Sequence, residues 1–383
     1  MAAAGWASLP ADLLREISGH LSADGDHLRI HQVCAHWHAS TPLPAVRPCV
    51  VASRPWPWKH RYPVGLYSMW HVKGGQRVSG FPDPPAGLPW CCGMSRGWLA
   101  LSNYAKWPTR LLLWDPGSGA EVPLPLPPRP SILQVFLAED PLASPHWMAL
   151  ATLEDRGSLL FWRPGDESWR PVTGGCGMGV SPSVDSIAFH DGKMFFNVSS
   201  DRLLAYNLNL GTTSPPTFVG EVYVDAAVRA VACNGDLLVV ALDDETLYPS
   251  FAEVYRIVDW APAGRRRLQL GSRVTDLGGY SLFLGRGDTL ALRAGDVLGI
   301  KGNHVYVLAQ QLVNLPWLFT FDLKSGVRKE YRCEENQRVE ARNYLWPYTW
   351  FCLKAPFFKR KRSALAPAVQ SERKKRTRVS VST

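Results

Sequence analysis

The sequence predicts a mainly β chain led by a small α-helical module. Three observations carry this. A hairpin-like pattern returns every 44–63 residues along the middle of the chain, 16 Trp, 32 Gly and 31 Pro are spread over 383 residues, and amphipathic helical patterning is confined to about the first forty. Many turns combined with many large aromatics favour short strands over helix bundles.

The chain opens with two apolar stripes of helical period. Leu13, Leu14, Ile17 and Leu21 fall at i, i+1, i+4 and i+8, which puts them on one helix face. Pro10 suits the first turn of that helix, where its missing N–H costs nothing. Asp12 then places negative charge near the helix N-terminus, where the macrodipole favours it. Ile30, Val33, Cys34 and Trp37 repeat the stripe at i, i+3, i+4 and i+7. Between the two, Ser22-Ala-Asp24-Gly25-Asp26 breaks the pattern and offers Asp26 as an N-cap for a second helix.

Helices of about a dozen residues are marginal by themselves in water. The pair therefore packs on a larger body, either as an ordinary helical hairpin against its own chain or as a docking module. Leu-Pro-x-Asp-Leu-Leu-x-x-Ile followed by Val-Cys-x-x-Trp resembles an F-box, the module that joins a protein to the Skp-type adaptor of a cullin–RING ubiquitin ligase. His36 and His38 stand where that family commonly carries Arg or Lys. The resemblance implies an adaptor-binding surface made of Leu9, Pro10, Leu13, Leu14, Ile17, Val33, Cys34 and Trp37, and a chain that performs no chemistry of its own.

From Arg96 onwards a loose unit recurs: a strand, a turn, a second strand ending in Asp or Asn, then Gly. Copies run Arg96-Gly97-Trp98 with Trp114-Asp115-Pro-Gly117, Ser158 to Gly165, and Ile187 to Phe196 with Tyr206-Asn207. Two more follow, Ala230 to Val240 with Tyr255 to Trp260, and Gly299 to Val307 with Phe321-Asp322 to Gly326. Their closing positions, Asp115, Arg163, Asn207, Asp259 and Asp322, lie 48, 44, 52 and 63 residues apart. Repeats of roughly 40–50 residues built from short strands predict a β-propeller of kelch or WD type. Each copy reads as a hairpin with Asn, Asp or Gly in its turn, and Asp-x-x-x-Gly makes the exit turn. Trp98, Trp114, Trp162, Trp260 and Trp317 are assigned to the wedges between blades. A β-sandwich, or two smaller β-domains, is the competing architecture left open by the uneven spacing.

A closer likeness adds to this. Gly-Trp-Leu-Ala-Leu, Leu-x-Leu-Trp-Asp-Pro-x-Ser-Gly, Ser281-Leu282-Phe283-Leu284-Gly285-Arg286, Ile300-Lys301-Gly302-Asn303 and Phe321-Asp322-Leu323 together resemble the plant F-box family with a C-terminal domain of unknown function, related to KIB-type kelch-like propellers. The likeness covers about residues 6–331. It implies a substrate receptor whose F-box holds the adaptor and whose propeller holds a protein target for ubiquitination; some relatives capture kinases. The span of about 300 residues, at the repeat length above, has room for six or seven blades.

Charge is concentrated at the C-terminus. Residues 354–383 hold ten of the 42 Lys and Arg and one of the 33 Asp and Glu, so the rest carries 32 of each sign and the net +9 sits in the tail. A balanced body gives no broad nucleic-acid-binding face. Lys359-Arg360-Lys361-Arg362 and Arg373-Lys374-Lys375-Arg376, ten residues apart, resemble a bipartite nuclear localisation signal. The expected partner is a nuclear import receptor and the expected location the nucleus, with the cytoplasm as a second compartment. A solvated basic end is the plain alternative, and salt-sensitive, non-specific nucleic-acid contact a third. The composition of this tail predicts disorder.

Other function classes find little support. No run of eighteen apolar residues is present, so no membrane-spanning helix is expected. The Met-Ala-Ala-Ala-Gly-Trp start has neither a basic n-region nor an apolar core, so no signal peptide is expected. The eight Cys show no C-x-x-C spacing, which argues for reduced thiols rather than a zinc site or disulfide framework, adjacent Cys91-Cys92 included. His27 and His31 have the i, i+4 spacing of two metal ligands but no third nearby, so no metal is expected. Gly-rich residues 174–179 lack the Lys-Ser/Thr step of a phosphate loop and read as a turn. Asn197-Val-Ser199 is a glycosylation sequon in a chain not expected to be secreted. No catalytic residue and no cofactor are expected. The domain reading is 1–45 helical module, 46–90 a Pro/Trp-rich connection or first blade, 91–353 propeller and 354–383 tail. An orphan nuclear F-box/propeller interaction protein without ligase recruitment is the alternative function.

Overall fold

The computed structural model describes residues 5–21, 26, 29–30, 32–41, 48–53, 64–65, 67–72, 82–104, 107–127, 132–153, 159–172, 186–199, 202–223, 227–243, 249–257, 266–267, 270–296, 300–308, 318–331 and 346–352. Trp260, Trp317, His27, His31, residues 174–179 and the basic clusters at 359–362 and 373–376 lie outside them.

Among the described residues the strands form six sheets of three to six strands. Five are each built around a consecutive run of strands, beginning at Trp90, Ile132, Ser186, Ala227 and Tyr280, with short strands added from elsewhere: Val64–Gly65 on the first, Arg266–Arg267 and Gly287–Asp288 on the third. The sixth has three strands and joins the two ends of the domain: Cys49–Ser53 runs between Tyr67–His71 and Trp346–Phe351, antiparallel to both. Against an expectation of six or seven blades, the chain thus supplies five consecutive blades and one composite closing sheet.

Buried side chains fall into six clusters, each filling the space between neighbouring sheets. Cys49, Val51 and Phe351 meet Leu99, Leu101 and Trp114. Next round, Trp98, Leu111 and Leu113 meet Val135, Trp147 and Trp162. Phe136 and Phe161 then meet Phe189 and Phe196, and Ala188 and Phe195 meet Ala230 and Leu237. Val240 and Val254 meet Leu282 and Phe319. Phe283 and Tyr306 finally meet Val50 and Trp350, which returns to the first sheet. A closed ring of sheet-to-sheet contacts is a propeller and excludes the sandwich alternative. Trp98 and Trp162 share one wedge and Trp114 fills the adjacent one, as expected of large flat side chains.

Local chemistry follows the sequence pattern. Asp191-Gly192 and Asn234-Gly235 take positive φ at both positions and close two-residue hairpins, the conformation that Asn, Asp and Gly adopt at least cost. In the exit turns, Gly119 N donates to Asp115 O and Gly326 N to Asp322 O, both at 2.8 Å. The Asp115 carboxylate also accepts from Gly117 N at 2.9 Å.

One blade departs from the meander. In the last consecutive sheet, Tyr280–Leu284 lies between Leu290–Arg293 and His304–Leu308, antiparallel to the first and parallel to the second. Between Leu284 and Leu290 the chain crosses to the centre of the ring, where Gly287–Asp288 pairs in parallel with Ser186–Ile187.

Three helical expectations need correcting. The first helix is Ala11–His20, with Pro10 as its N-cap residue rather than inside the first turn. The second stripe is not one helix. Asp26, Arg29, Ile30 and Gln32 are helical, the chain breaks at Val33 and Cys34, and a separate helix spans Ala35–Ser40. Cys34 is fully extended at φ −166°, so the stripe is split at a β-branched residue and a Cys, both poor helix formers. Asp26 is inside the helical stretch, paired with Arg29 at 3.2 Å, and does not cap it.

Candidate functional site: a helical module and the loop faces of the propeller

The Ala11–His20 helix has Asp12 in its first turn and His20 in its last, both matched to the macrodipole. Its inner face is narrow: Leu14 and Ser18 are fully buried. Trp37 Nε1 donates to Trp6 O at 2.9 Å and His36 Nε2 lies 2.7 Å from Leu9 O, which ties the two ends of the module together. Gln32 Nε2 donates to Pro116 O at 2.6 Å, so the module stands on the Asp115–Gly119 turn of the first blade.

The sequence-derived adaptor set therefore separates into two groups. Leu13 and Ile17 are 44% and 40% exposed, Val33 is 54% exposed, and Trp6 beside them in sequence is 77% exposed. Pro10 is exposed, and Leu9, Cys34 and Trp37 are half-buried. Leu14 does not belong with them. It is wholly buried, because the i, i+4 pair Leu14 and Ser18 faces the module's interior while the pair Leu13 and Ile17 faces away. Sequence reasoning missed Trp6 as part of the exposed apolar set; a Trp three residues ahead of the Leu-Pro step was the available signal.

The antiparallel meander fixes which propeller loops share a face. In the blade from Trp90 to Leu124, the turns at 95–98 and 115–120 lie at one end, and the connections after Ser102 and Leu124 lie at the other. Gln32 thus seats the module at the first end. Tyr104, Trp107 and Leu126, exposed by 58%, 68% and 43%, lie at the opposite end. Phe251, 43% exposed, sits on the equivalent connection of the fourth blade. Asn103 builds the Tyr104 loop: its Oδ1 accepts from Thr109 N and Arg110 N, and its Nδ2 donates to Thr109 Oγ1.

Among the described residues no group of three or more His, Cys, Asp or Glu side chains could hold a metal ion. Cys91 and Cys92 are fully buried free thiols; burial pushes the Cys92 thiol up to about 12 and Cys91 higher still, so neither is a nucleophile at neutral pH. Asn197 of the sequon is buried, accepting from Ser186 Oγ and donating to Val228 O, and is closed to modification. No described helix is long and apolar enough to cross a membrane.

Comparison with known proteins places the chain. No curated protein matches it. Among solved structures, the β-propeller domain of Cps50 (Swd1) from Myceliophteria thermophila aligns at 12% identity and TM-score 0.38, over 76% of this chain and 90% of that one. A nidogen/laminin complex aligns at 10% identity and TM-score 0.38, over 80% and 99%. Hsv2 from Kluyveromyces lactis aligns at 12% identity and TM-score 0.34, over 78% and 77%. The family model described as the KIB1-4 beta-propeller matches residues 74–333, more than half of the chain. This protein is a member of the KIB1-4 beta-propeller family.

Proposed function

We propose that the protein is the substrate-recognition subunit of a Skp–cullin–F-box ubiquitin ligase, with its N-terminal helices as the F-box. The observation that carries this is the outward apolar pair Leu13 and Ile17 on a helix whose inner face is already filled by Leu14 and Ser18. A helix that served only to cap its own domain would turn its widest apolar stripe inward. Burying what remains exposed of these two side chains against a partner contributes about 1–3 kcal/mol before association costs. The F-box resemblance of the sequence says which partner.

The propeller holds the target. A β-propeller suits protein–protein interaction through its loops, and the exposed Tyr104, Trp107 and Leu126 lie at the end away from the module. A target bound there stands clear of the adaptor. The basic clusters Lys359–Arg362 and Arg373–Arg376 support a nuclear location through an import receptor.

The test is co-purification of the full chain with a Skp-type adaptor and its cullin, wild type against a Leu13→Ala, Ile17→Ala variant. Stoichiometric binding that the variant loses supports the ligase reading. A wild type that binds no adaptor overturns it and leaves the orphan interaction protein. Replacing Lys359–Arg362 with Ala should move a fluorescent fusion out of the nucleus; an unchanged distribution removes the import signal.

A further inference from the structure

Residues 285–289 fill the middle of the ring with the protein's own chain. Asp288 Oδ2 lies 3.0 Å from Arg96 Nε and accepts from Ser95 Oγ at 2.9 Å. Ser95 Oγ in turn accepts from Leu137 N at 3.2 Å. Thr289 Oγ1 sits 3.0 Å from Ile187 O and 2.9 Å from Ala230 O, and Thr289 N donates to Ile187 O at 3.0 Å. Around Gly287 stand Phe136, Gln134 and Thr349. The segment links two strands of the fifth blade and pairs with the third, so five residues touch every one of the six sheets.

Arg96 is the unexpected member. It occupies the first turn position of its hairpin at φ +52°, where the second-strand turns of the third and fourth blades carry Asp191 and Asn234. An Arg in the left-handed region costs on the order of 1 kcal/mol or more and marks a position held by something else. Here that is Asp288: both side chains are at most 4% exposed, and Arg96 Nη2 also donates to Thr289 O at 3.4 Å. The second carboxylate oxygen, Asp288 Oδ1, has no hydrogen-bond partner among the described residues. Burial pushes this carboxyl up while Arg96 and Ser95 oppose the shift. A buried pair of this kind is suited to specifying one arrangement of the elements it joins.

We propose that residues 285–289 form an axial latch that holds the inner strands of all six sheets in one register, with the Arg96–Asp288 pair as the bond that seats it. The latch closes the centre of the ring to ligands and leaves recognition to the loop faces. It also gives the Ser281–Arg286 phrase, distinctive in the sequence, a place in the fold: it feeds the latch.

Hydrogen exchange of the full chain tests this, comparing wild type with Arg96→Asn/Asp288→Asn, which removes both charges and gives the turn its usual residue. The latch predicts a drop in protection of about tenfold or more in Trp90–Ser95, Ile132–Leu137, Ser186–His190 and Ala227–Cys233 together. Wild-type protection in those strands, or a change confined to 280–293, overturns it. Thr289→Val is the milder second variant, should the double variant fail to fold. It removes only the hydroxyl that reaches Ile187 O and Ala230 O, and the latch predicts a parallel loss in Ser186–His190 and Ala227–Cys233. Unchanged protection there contradicts the proposal.

Discussion

Leu13 and Leu14 are neighbours in sequence and opposites in the fold: Leu14 is wholly buried and Leu13 is 44% exposed. One helical step of 100° turns a structural residue into a presented one.

The pair should separate in mutation. Leu14→Ala removes a fully packed side chain and should cost about 2–5 kcal/mol, seen as loss of the module's helical signal or its protease resistance. Leu13→Ala should leave both within about 0.5 kcal/mol of wild type. Equal destabilisation by the two would mean that the module is packed differently.

Gly93 marks the closest approach of two inner strands. A Cβ added there would meet Val135 O at 2.4 Å and Val135 N at 2.7 Å, both backbone atoms that side-chain motion cannot relieve. Gly93→Ala should therefore destabilise the propeller by about 3 kcal/mol, measured by denaturant unfolding. Wild-type stability would show that the first two blades do not pack this tightly.

Trp350 anchors the closing sheet. Its Nε1 donates to Leu284 O at 2.9 Å, and its ring stands edge-on to Phe283 with centroids 5.0 Å apart. Trp350→Ala should cost about 3–5 kcal/mol. Exchange should rise first in Cys49–Ser53, which pairs with the strand that carries it. A loss of stability without that local signature would separate Trp350 from ring closure.

Much of this fold is written locally. Asp191-Gly192, Asn234-Gly235 and the Asp115 and Asp322 turns are legible because each needs only residues within a few positions of itself. Two features are not local. Pairing of Cys49–Ser53 with Trp346–Phe351 joins residues nearly three hundred positions apart, and no periodicity announces it. The axial segment breaks the repeat instead of extending it, and shows in the sequence only as the longest interval, the 63 residues from Asp259 to Asp322. In the N-terminal module the apolar stripe is legible, but its division into buried and exposed faces is not, since Leu13 and Leu14 are the same residue type side by side. The burial of Asp288 depends on Ser95 and Arg96, 193 and 192 residues away, which no local pattern records.

The central claim is that the outward face of the first helix docks a Skp-type adaptor. Titration calorimetry of the purified full chain with that adaptor tests it most directly, wild type beside Leu13→Ala, Ile17→Ala. The account predicts saturable one-to-one binding by the wild type, weakened at least about a hundredfold, roughly 2.7 kcal/mol, in the variant. Equal affinity of the two proteins, or no heat of binding from either, would contradict it.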